Sequence, residues 1–435
     1  MMVIVIKNCS WILTMNEKGT ILKRKSLQID KDGTVHIIEK APREADFVIN
    51  GEGKLAMPGL INAHTHSPMS LFRGYADDLP LETWLKERIW PLERKLTPSD
   101  CRIGALLSIT EMLKTGTVAF IDMYWFGEEI AKAAIKAGIR ALVTYGMLDL
   151  GDPSKREKAI EGARAFIRKV RELGNPNVKP GLGPHAPYTC SKELLEEVRS
   201  LADKEKVPIH IHVAETRHEQ AEFEKKYGMR EVEFLDRIGF LGEDVIIAHG
   251  VWLTKQEIRR LAERGVKVVH CPVSNLKVAV GGIAPVSTMI EMGVTVCLGT
   301  DGPASNNCLD MFETMKIAAL LQKHQYWDPT KVPAFEALKL ATVNGEEALD
   351  QGLPGRIVDG ERADIILVNI NKVKFTPIHF PETIISHAVY VAKGADITDV
   401  IINGRVIVKD SKVLTLDEAE VMREATKRAL RLVQS

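Results

Sequence analysis

The sequence predicts an α/β protein built on a closed barrel of eight parallel strands, with a small β-sandwich formed by the two chain ends. Two patterns lead to this fold class. Apolar runs alternate with helical patterns through the middle of the chain, and short alternating strands return at both ends. We therefore expect residues 1–55 to form the N-terminal part of the sandwich, residues 56–354 the barrel, and residues 355–435 the C-terminal part of the sandwich plus a closing helix.

Eight strand-like runs define the predicted barrel. Helical sequence such as Ser99–Lys114 and Lys192–Lys204 separates them, which is typical of parallel strands joined by crossover helices. An open, doubly wound sheet is the alternative, but no Gly-x-Gly-x-x-Gly motif follows a strand, so its main support is missing. The runs are Leu55–Asn62, Val118–Ile121, Ala141–Thr144, Val178–Gly183, Val207–Val213, Val245–Ala248, Val266–Val269 and Val294–Leu298.

The chain ends have a different pattern, in which apolar and polar residues alternate over short distances. Val3–Ile6 and Phe47–Ile49 at the start resemble Ala363–Val368 and Val400–Gly404 near the end, with glycine turns between them. We expect these strands to pair into one sandwich. Asp417–Val433 follows as an amphipathic closing helix.

Composition narrows the possible partners. Lys+Arg and Asp+Glu balance at 58 each, so no basic excess favours nucleic acid or a membrane surface. No apolar stretch reaches the roughly 18 residues of a membrane span, and the start of the chain lacks a signal-peptide pattern. Six scattered cysteines without a Cys-x-x-Cys pair indicate reduced core residues. We expect a cytoplasmic protein that acts on a small molecule.

His64 and His66 are the most informative pair in the chain. In a strand, residues two apart face the same side, so both imidazoles point to one place at the end of the first barrel strand. Such a pair can hold a divalent metal ion. For one isolated pair, structural histidines are the more common explanation. The residues at the ends of the other predicted strands favour the metal site over structural histidines.

Polar residues suited to metal chemistry follow most of the predicted barrel strands, whose carboxyl ends share one face. The fourth strand ends in His185, the fifth in His212 with Glu215 beyond it, the sixth in His249 and the eighth in Asp301. These residues predict a site for one ion. His64, His66, His212 and Asp301 are the predicted ligands, His249 orients the attacking water, and Glu215 moves a proton.

Three further residues compete for roles in this site. His210 shares a strand face with His212, but it lies deeper, so we interpret it as a core histidine. Asp122 ends the second strand, and we favour a hydrogen-bonding role for it over metal ligation. His270 ends the seventh strand and either joins the site or shapes a turn.

The motifs at the strand ends resemble those of the amidohydrolase superfamily, and the resemblance covers essentially the whole chain. It rests on Met57–His66, Gly183–Tyr188, His210–Thr216, Ala248–Gly250, Cys271–Lys277, Gly299–Asn307 and Ala363–Ile366. No lysine ends the fourth strand, where His185 stands instead, so the chain is similar to the branch that binds a single metal ion.

The resemblance implies a distorted (β/α)8 TIM barrel with a composite sandwich, and one divalent ion per subunit, zinc first and Fe²⁺ or Mn²⁺ as alternatives. It also implies hydrolytic deamination of an adenine nucleoside to the inosine analogue and ammonia, in a homo-oligomer. By motif, Glu93 contacts the ribose hydroxyls and His185 the substrate. Glu215 protonates the purine ring, and Asp301 accepts the water proton.

One departure from the superfamily concerns the 5′ substituent of the nucleoside. Several members place an arginine just after the third strand, where it pairs with the carboxylate of S-adenosylhomocysteine. Tyr145 is predicted to stand there in this chain, with Arg156 as a possible substitute. This favours 5′-methylthioadenosine, 5′-deoxyadenosine or adenosine. A guanine or cytosine deaminase, a triazine hydrolase and a non-catalytic scaffold are the alternatives.

Overall fold

Two β-sheets contain the strands of the described chain. The structure is a computed structural model that describes residues 3–42, 45–80, 83–352 and 355–434, so the predicted boundary at residue 354 lies outside the described residues. In order, the strands are β1 (Ile4–Leu13), β2 (Ile21–Ile29), β3 (Val35–Ile38), β4 (Phe47–Asn50), β5 (Lys54–Pro58), β6 (Leu60–Thr65), β7 (Thr117–Tyr124), β8 (Arg140–Met147), β9 (Val178–Pro184), β10 (Ile209–Val213), β11 (Val245–His249), β12 (Lys267–His270), β13 (Val296–Leu298), β14 (Ile365–Asn369), β15 (Ile397–Ile402), β16 (Arg405–Lys409) and β17 (Lys412–Val413).

Strands β6 to β13 form the predicted barrel. Each pairs in parallel with the next one along the chain, from β6 with β7 to β12 with β13. All residues of β6, β7, β10 and β11 are buried, which explains why these strands are apolar runs rather than alternating ones. The predicted eight-stranded parallel barrel is confirmed.

The first and last barrel strands meet through the residues that follow β13. The Asp301 N–H donates to the His64 carbonyl at 2.9 Å, and the Asn62 side chain donates to the Thr300 hydroxyl at 2.7 Å. Gly299 permits this approach, because a Cβ atom there would lie 2.8 Å from the His64 backbone nitrogen. The closing contact of the barrel therefore lies within the predicted metal site.

Helices surround the barrel, and several begin at threonine caps. Thr97, Thr216 and Thr254 each accept the N–H of the residue three positions on, whose carboxylate accepts the threonine N–H in return. No helix in the described ranges is long and apolar enough to cross a membrane. The α-helices are α1 (Trp90–Glu93), α2 (Pro98–Lys114), α3 (Gly127–Ala137), α4 (Pro153–Glu172), α5 (Lys192–Glu205), α6 (Arg217–Tyr227), α7 (Glu231–Arg237), α8 (Lys255–Glu263), α9 (Pro272–Lys277), α10 (Val286–Glu291), α11 (Met311–Tyr326), α12 (Ala334–Ala341), α13 (Val343–Leu349), α14 (Thr383–Tyr390) and α15 (Glu418–Gln434).

The second sheet is built from both chain ends, as the sequence predicts. Its order is β17-β16-β15-β14-β5-β1-β2-β3, with β4 alongside β1. The sheet curls until β3 meets the segment before β14, where the Val35 N–H donates to the Glu361 carbonyl at 2.8 Å. The curled sheet has an apolar core of its own, which includes Ile6, Ile12, Leu27, Ile365 and Ile401. The chain passes from this sheet into the barrel at Gly59, between β5 and β6.

A buried ion cluster joins the barrel to the second sheet. The guanidinium of Arg140, at the start of β8, donates to Asp364 Oδ2 at 2.6 Å and to Glu346 Oε2 at 2.9 Å. All three side chains are at most 4% exposed. The two carboxylates have little access to water, so the single cation stabilises both of them.

Replacing Arg140 with alanine is expected to lower the free energy of unfolding by about 3–5 kcal/mol, because it leaves buried carboxylates without a cation. Chemical denaturation monitored by circular dichroism measures the change. The matched control is Arg168→Ala, since the Arg168–Glu172 pair is 70% and 65% exposed; we expect a change within about 0.5 kcal/mol there. Equal losses in the two variants would contradict this interpretation of the cluster.

Candidate metal centre and active site

The four predicted metal ligands converge at the carboxyl end of the barrel. His64 and His66 lie at the end of β6, His212 on β10, and Asp301 just beyond β13. Asp301 Oδ1 is 3.4 Å from His64 Nε2 and 3.3 Å from His66 Nε2. His212 Nε2 is 3.3 Å from His66 Nε2. Four donor atoms from three separate strands therefore surround one small volume.

Each of the three histidines is oriented through its other ring nitrogen. The Nδ1 atom lies within hydrogen-bonding distance of a fixed acceptor, so it carries the proton and leaves the Nε2 lone pair directed into the site. The three bonds run from His64 to His210 Nε2 (2.7 Å), from His66 to the Met123 carbonyl (2.5 Å) and from His212 to the His185 carbonyl (2.7 Å).

The donor set fits a divalent metal ion. His64 Nε2 is fully buried and has no hydrogen-bond partner, and His66 Nε2 and His212 Nε2 face each other although both are acceptors. Burial lowers the pKa of His64 to about 4 and that of His212 well below its usual value, so both rings are neutral, the form that binds metal. Three imidazoles and one carboxylate suit zinc, with a position open for water.

Asp301 is held in one orientation by several donors. Its Oδ2 accepts hydrogen bonds from Ser274 (2.6 Å) and Ser305 (3.2 Å), and its Oδ1 from the Gly302 N–H (2.7 Å). Burial raises the pKa of Asp301, but the contact with His64 and the neighbouring imidazoles outweigh burial and hold the pKa well below the usual range. The side chain is therefore an oriented carboxylate.

Glu215 and His249 lie side by side next to the predicted ligands. Glu215 Oε2 is 3.7 Å from His249 Nε2. The His249 ring stacks on His212 with 5.3 Å between ring centroids, and its Nδ1 donates to Asn275 Oδ1 at 3.0 Å. Burial, and secondarily the charge of Asp301, raises the pKa of Glu215 to about 8. At neutral pH this group carries a proton that it can give to a substrate.

The two predicted substrate contacts, Glu93 and His185, lie near the predicted metal ligands. Glu93 Oε1 accepts a hydrogen bond from the Tyr124 hydroxyl at 2.7 Å, and the Tyr124 ring lies 6.3 Å from that of His66. Burial raises the pKa of Glu93. The His185 ring is 4.9 Å from that of His212. Both side chains therefore lie close to predicted metal ligands, Glu93 through Tyr124 beside His66 and His185 beside His212.

The prediction that Tyr145 takes the place of a substrate-binding arginine is wrong. The Tyr145 ring packs on Phe166 of helix α4, with 5.5 Å between centroids, and a Cβ atom on Gly162 of that helix would lie 2.3 Å from its hydroxyl. Alternate residues of a barrel strand face the helices, and Tyr145 is one of them. Arg156 pairs with Glu197 of helix α5 at 3.1 Å.

The sequence left the roles of His210, Asp122 and His270 undecided, and the structure indicates a role for the first two. His210 is buried between His64 and the Ile246 carbonyl, so it orients His64 as a core histidine. Asp122 Oδ2 accepts the Ser67 N–H at 2.7 Å and so fixes the chain just after His66. His270 is buried, and neither of its ring nitrogens has a hydrogen-bond partner.

Sequence reasoning missed the residues that support this site. Asn275 orients His249, Ser274 and Ser305 orient Asp301, and Tyr124 holds Glu93. The signal for two of them was present, because Ser274 and Asn275 follow the seventh strand and so lie at the same edge as the other site residues. Which acceptor each small polar residue would meet depends on contacts between distant strands.

Comparison with known proteins agrees with this arrangement. The model of the amidohydrolase family matches residues 55–407. The chain belongs to the amidohydrolase family. Proteins of this family depend on a metal ion for activity, which agrees with the donor set described above.

Three similar proteins cover nearly the whole chain. A 5′-deoxyadenosine deaminase of Methanothermobacter thermautotrophicus is 45% identical over 417 residues, covering 95% of each chain. A 5-methylthioadenosine/S-adenosylhomocysteine deaminase of Thermococcus onnurineus is 45% identical over 413 residues, also 95% of each chain. The crystal structure of an adenosine deaminase from Xanthomonas campestris with bound zinc has a TM-score of 0.93 at 34% identity and covers 99% of each chain.

Histidine substitutions should separate ligands from supporting residues. We expect His212→Ala to lower zinc affinity by more than about 100-fold, and His210→Phe by about 10–100-fold because His64 loses its orienting partner. The exposed His379 provides the control, and His379→Ala should bind zinc as the unmodified protein does. Titration of metal-free protein against a competing chelator measures all three. Equal affinity in the His212 and His379 variants would rule out the proposed ligand set.

Proposed function

We propose that this amidohydrolase deaminates adenine nucleosides at C6, which releases ammonia and leaves the inosine analogue. The observation that carries the proposal is the position of Glu215, a protonated carboxyl group close to the neutral imidazoles of His64 and His212 and to an ionised carboxylate. Replacing an amino group on a purine ring needs an acid near the ring nitrogen and a base near the attacking water. The site offers both within a few ångströms, and the similarity to deaminases supports the same reaction.

Zinc is the proposed ion, with Fe²⁺ or Mn²⁺ as alternatives, held by His64, His66, His212 and Asp301. When bound, such an ion lowers the pKa of a coordinated water toward about 7, which supplies a nucleophile at neutral pH. The neutral state of His64 and His212 and the ionised state of Asp301 suit this role. Fixed hydrogen bonds on the far side of each ligand maintain its direction.

The protein groups then divide the proton transfers among them. Glu215 gives its proton to the ring nitrogen next to C6 as water adds to that carbon. Asp301 accepts the proton that the water releases, and His249 accepts or donates a hydrogen bond that aligns the water. Asp301 then passes that proton to the C6 amino group, which leaves as ammonia, and the C6 hydroxyl proton returns to Glu215 as the carbonyl of the product forms. One water is consumed for each ammonia released.

We assign the ribose to the Glu93 side of the cavity. A carboxylate can accept two hydroxyl donors, and Glu93 has one oxygen engaged by Tyr124 and remains able to accept more. His185, on the other side of His212, is a further contact for the substrate. A ribose subsite favours a nucleoside over a free base or a triazine.

We propose that the preferred 5′ substituent is small and uncharged. Several exposed apolar side chains follow the barrel strands at the active-site end, among them Trp125, Leu150 and Tyr188. The segment after β8 contains no cation before Lys155, so nothing there can pair with the carboxylate of a homocysteine group. These features favour 5′-deoxyadenosine and 5′-methylthioadenosine over S-adenosylhomocysteine. The cytoplasmic location and homo-oligomeric assembly expected from the sequence stay predictions.

Ammonia release from metal-loaded protein tests the reaction and the ranking together. We expect turnover of 5′-deoxyadenosine, 5′-methylthioadenosine and adenosine, with S-adenosylhomocysteine the slowest of the four. Glu215→Gln should reduce kcat by at least about 100-fold while the bound metal is retained, because an amide cannot deliver the proton. The control is Glu222→Gln, a 58% exposed carboxylate on helix α6. No turnover of any nucleoside by metal-loaded protein would refute the proposed function.

The ribose assignment has its own test. Glu93→Ala should lower kcat/KM for adenosine by about 10- to 100-fold, because a hydrogen bond to a charged group contributes about 1.5–3 kcal/mol. The same variant should treat 2′,3′-dideoxyadenosine as the unmodified enzyme does, because that substrate lacks the 2′- and 3′-hydroxyls that Glu93 would bind. Equal losses on the two substrates would place Glu93 outside the ribose subsite.

A further inference from the structure

The position of Glu215 depends on an unusual backbone turn. In a regular strand, residues three apart face opposite sides, so Glu215 would point away from the face that carries His212. The chain instead turns at Ala214, whose φ angle of 56° lies in the left-handed region. A residue with a side chain pays about 1–2 kcal/mol for this conformation. Something in the surrounding structure must therefore stabilise the turn.

Both backbone polar groups of Ala214 are held by residues from other elements. The Ala214 carbonyl accepts the Trp252 N–H at 2.9 Å. Its N–H donates to Oε2 of Glu231, the first residue of helix α7, at 2.8 Å. Glu231 is fully buried, and the Gln220 side chain donates to the same oxygen at 2.6 Å. A buried carboxyl group thus fixes the residue before Glu215.

A second buried carboxyl group fixes the residue after it. Glu219, in the first turn of helix α6, accepts the Thr216 N–H at 3.3 Å, and the Thr216 hydroxyl accepts the Glu219 N–H at 3.0 Å. Ala214 and Thr216 are the two neighbours of Glu215 in the chain. Each is therefore held by a different glutamate.

The two glutamates also contact each other. Each interacts with the other's carboxyl group, and each has a buried Oε1 atom without a hydrogen-bond partner. Two ionised carboxylates in contact inside a protein repel strongly. A single proton shared by the pair leaves one negative charge, and burial raises the pKa of both groups.

We propose that Glu219 and Glu231 form a carboxyl pair that shares one proton and positions Glu215 for catalysis. They are positioning residues, since their contacts are with the backbone on either side of Glu215 rather than with the substrate. The inference rests on the proposed role of Glu215 as the proton donor. It assigns a function to two buried acids that the deamination mechanism itself does not use.

Paired substitutions at Glu231 test the inference. Glu231→Gln keeps an acceptor for the Ala214 N–H and supplies a permanent donor to Glu219, so kcat should stay within about threefold of the unmodified enzyme. Glu231→Leu removes both bonds. We expect kcat to fall by about 100-fold, because a small misplacement of a reacting group has that effect, while KM and metal content change little. Equal loss in the two variants would overturn the proposal.

A double substitution separates positioning from general loss of structure. If Glu231 acts through Glu215, then adding Glu231→Leu to the Glu215→Gln variant should not lower kcat any further. A further loss of tenfold or more in the double variant would mean that Glu231 acts independently, which overturns the inference.

Hydrogen exchange provides a readout that does not depend on turnover. The Ala214 amide should exchange at least about tenfold faster in Glu231→Leu and at the normal rate in Glu231→Gln. Unchanged exchange in the leucine variant would overturn the inference even if the enzyme is a deaminase. Absence of nucleoside turnover in the unmodified protein would instead refute the proposed function, and the exchange rates would still decide the role of the pair. If the Glu231→Leu variant does not fold, the Glu231→Gln variant decides alone. A kcat below a tenth of normal in Glu231→Gln would overturn the inference.

Discussion

The junction between the first and last barrel strands is the constraint on which the site depends. The Asp301 N–H donates to the His64 carbonyl, and the Thr65 hydroxyl donates to the Asp301 carbonyl at 3.1 Å. Asn62 reinforces the junction from the side by holding Thr300. The same few residues close the barrel and carry three of the four proposed ligands. The site therefore cannot form unless the barrel closes.

Burial gives these residues their chemistry. In a water-poor interior, a histidine loses its proton and a lone carboxyl group keeps it, which is why His64 and His212 are neutral and Glu215 is an acid. Asp301 is the exception, because it lies among imidazoles and hydroxyl donors that stabilise its charge. One environment therefore provides an acid and a base within the same small volume.

The polar groups around the site are oriented by partners from distant parts of the chain. His64 is held by His210, His249 by Asn275, and the turn before Glu215 by Glu231. Each partner is buried, so each contact excludes water and limits the side chain to one direction. This is how a barrel whose active residues come from separate strands maintains a defined geometry.

Much of this arrangement was readable in the sequence, because it follows from local rules. Strand periodicity put His64 and His66 on one face, and apolar runs located the eight strands whose ends form the active face. The sequence put Glu215 beside His212 because it closely follows the fifth strand, although strand periodicity alone would put the two side chains on opposite faces. The left-handed turn at Ala214 resolves that conflict.

The sequence by itself determined the barrel, the composite sheet and the identity of the proposed ligands, because hydrophobic periodicity and strand order act over short stretches of chain. Only the tertiary structure decided that Tyr145 faces helix α4, that His210 supports His64, and that Glu231 holds the turn before Glu215. Those outcomes depend on which side chains meet across the barrel, and the pairs involved are separated by up to 146 positions. Contacts at such separations are set by packing and by the need to give every buried polar atom a hydrogen-bond partner. A short stretch of sequence contains no information about either.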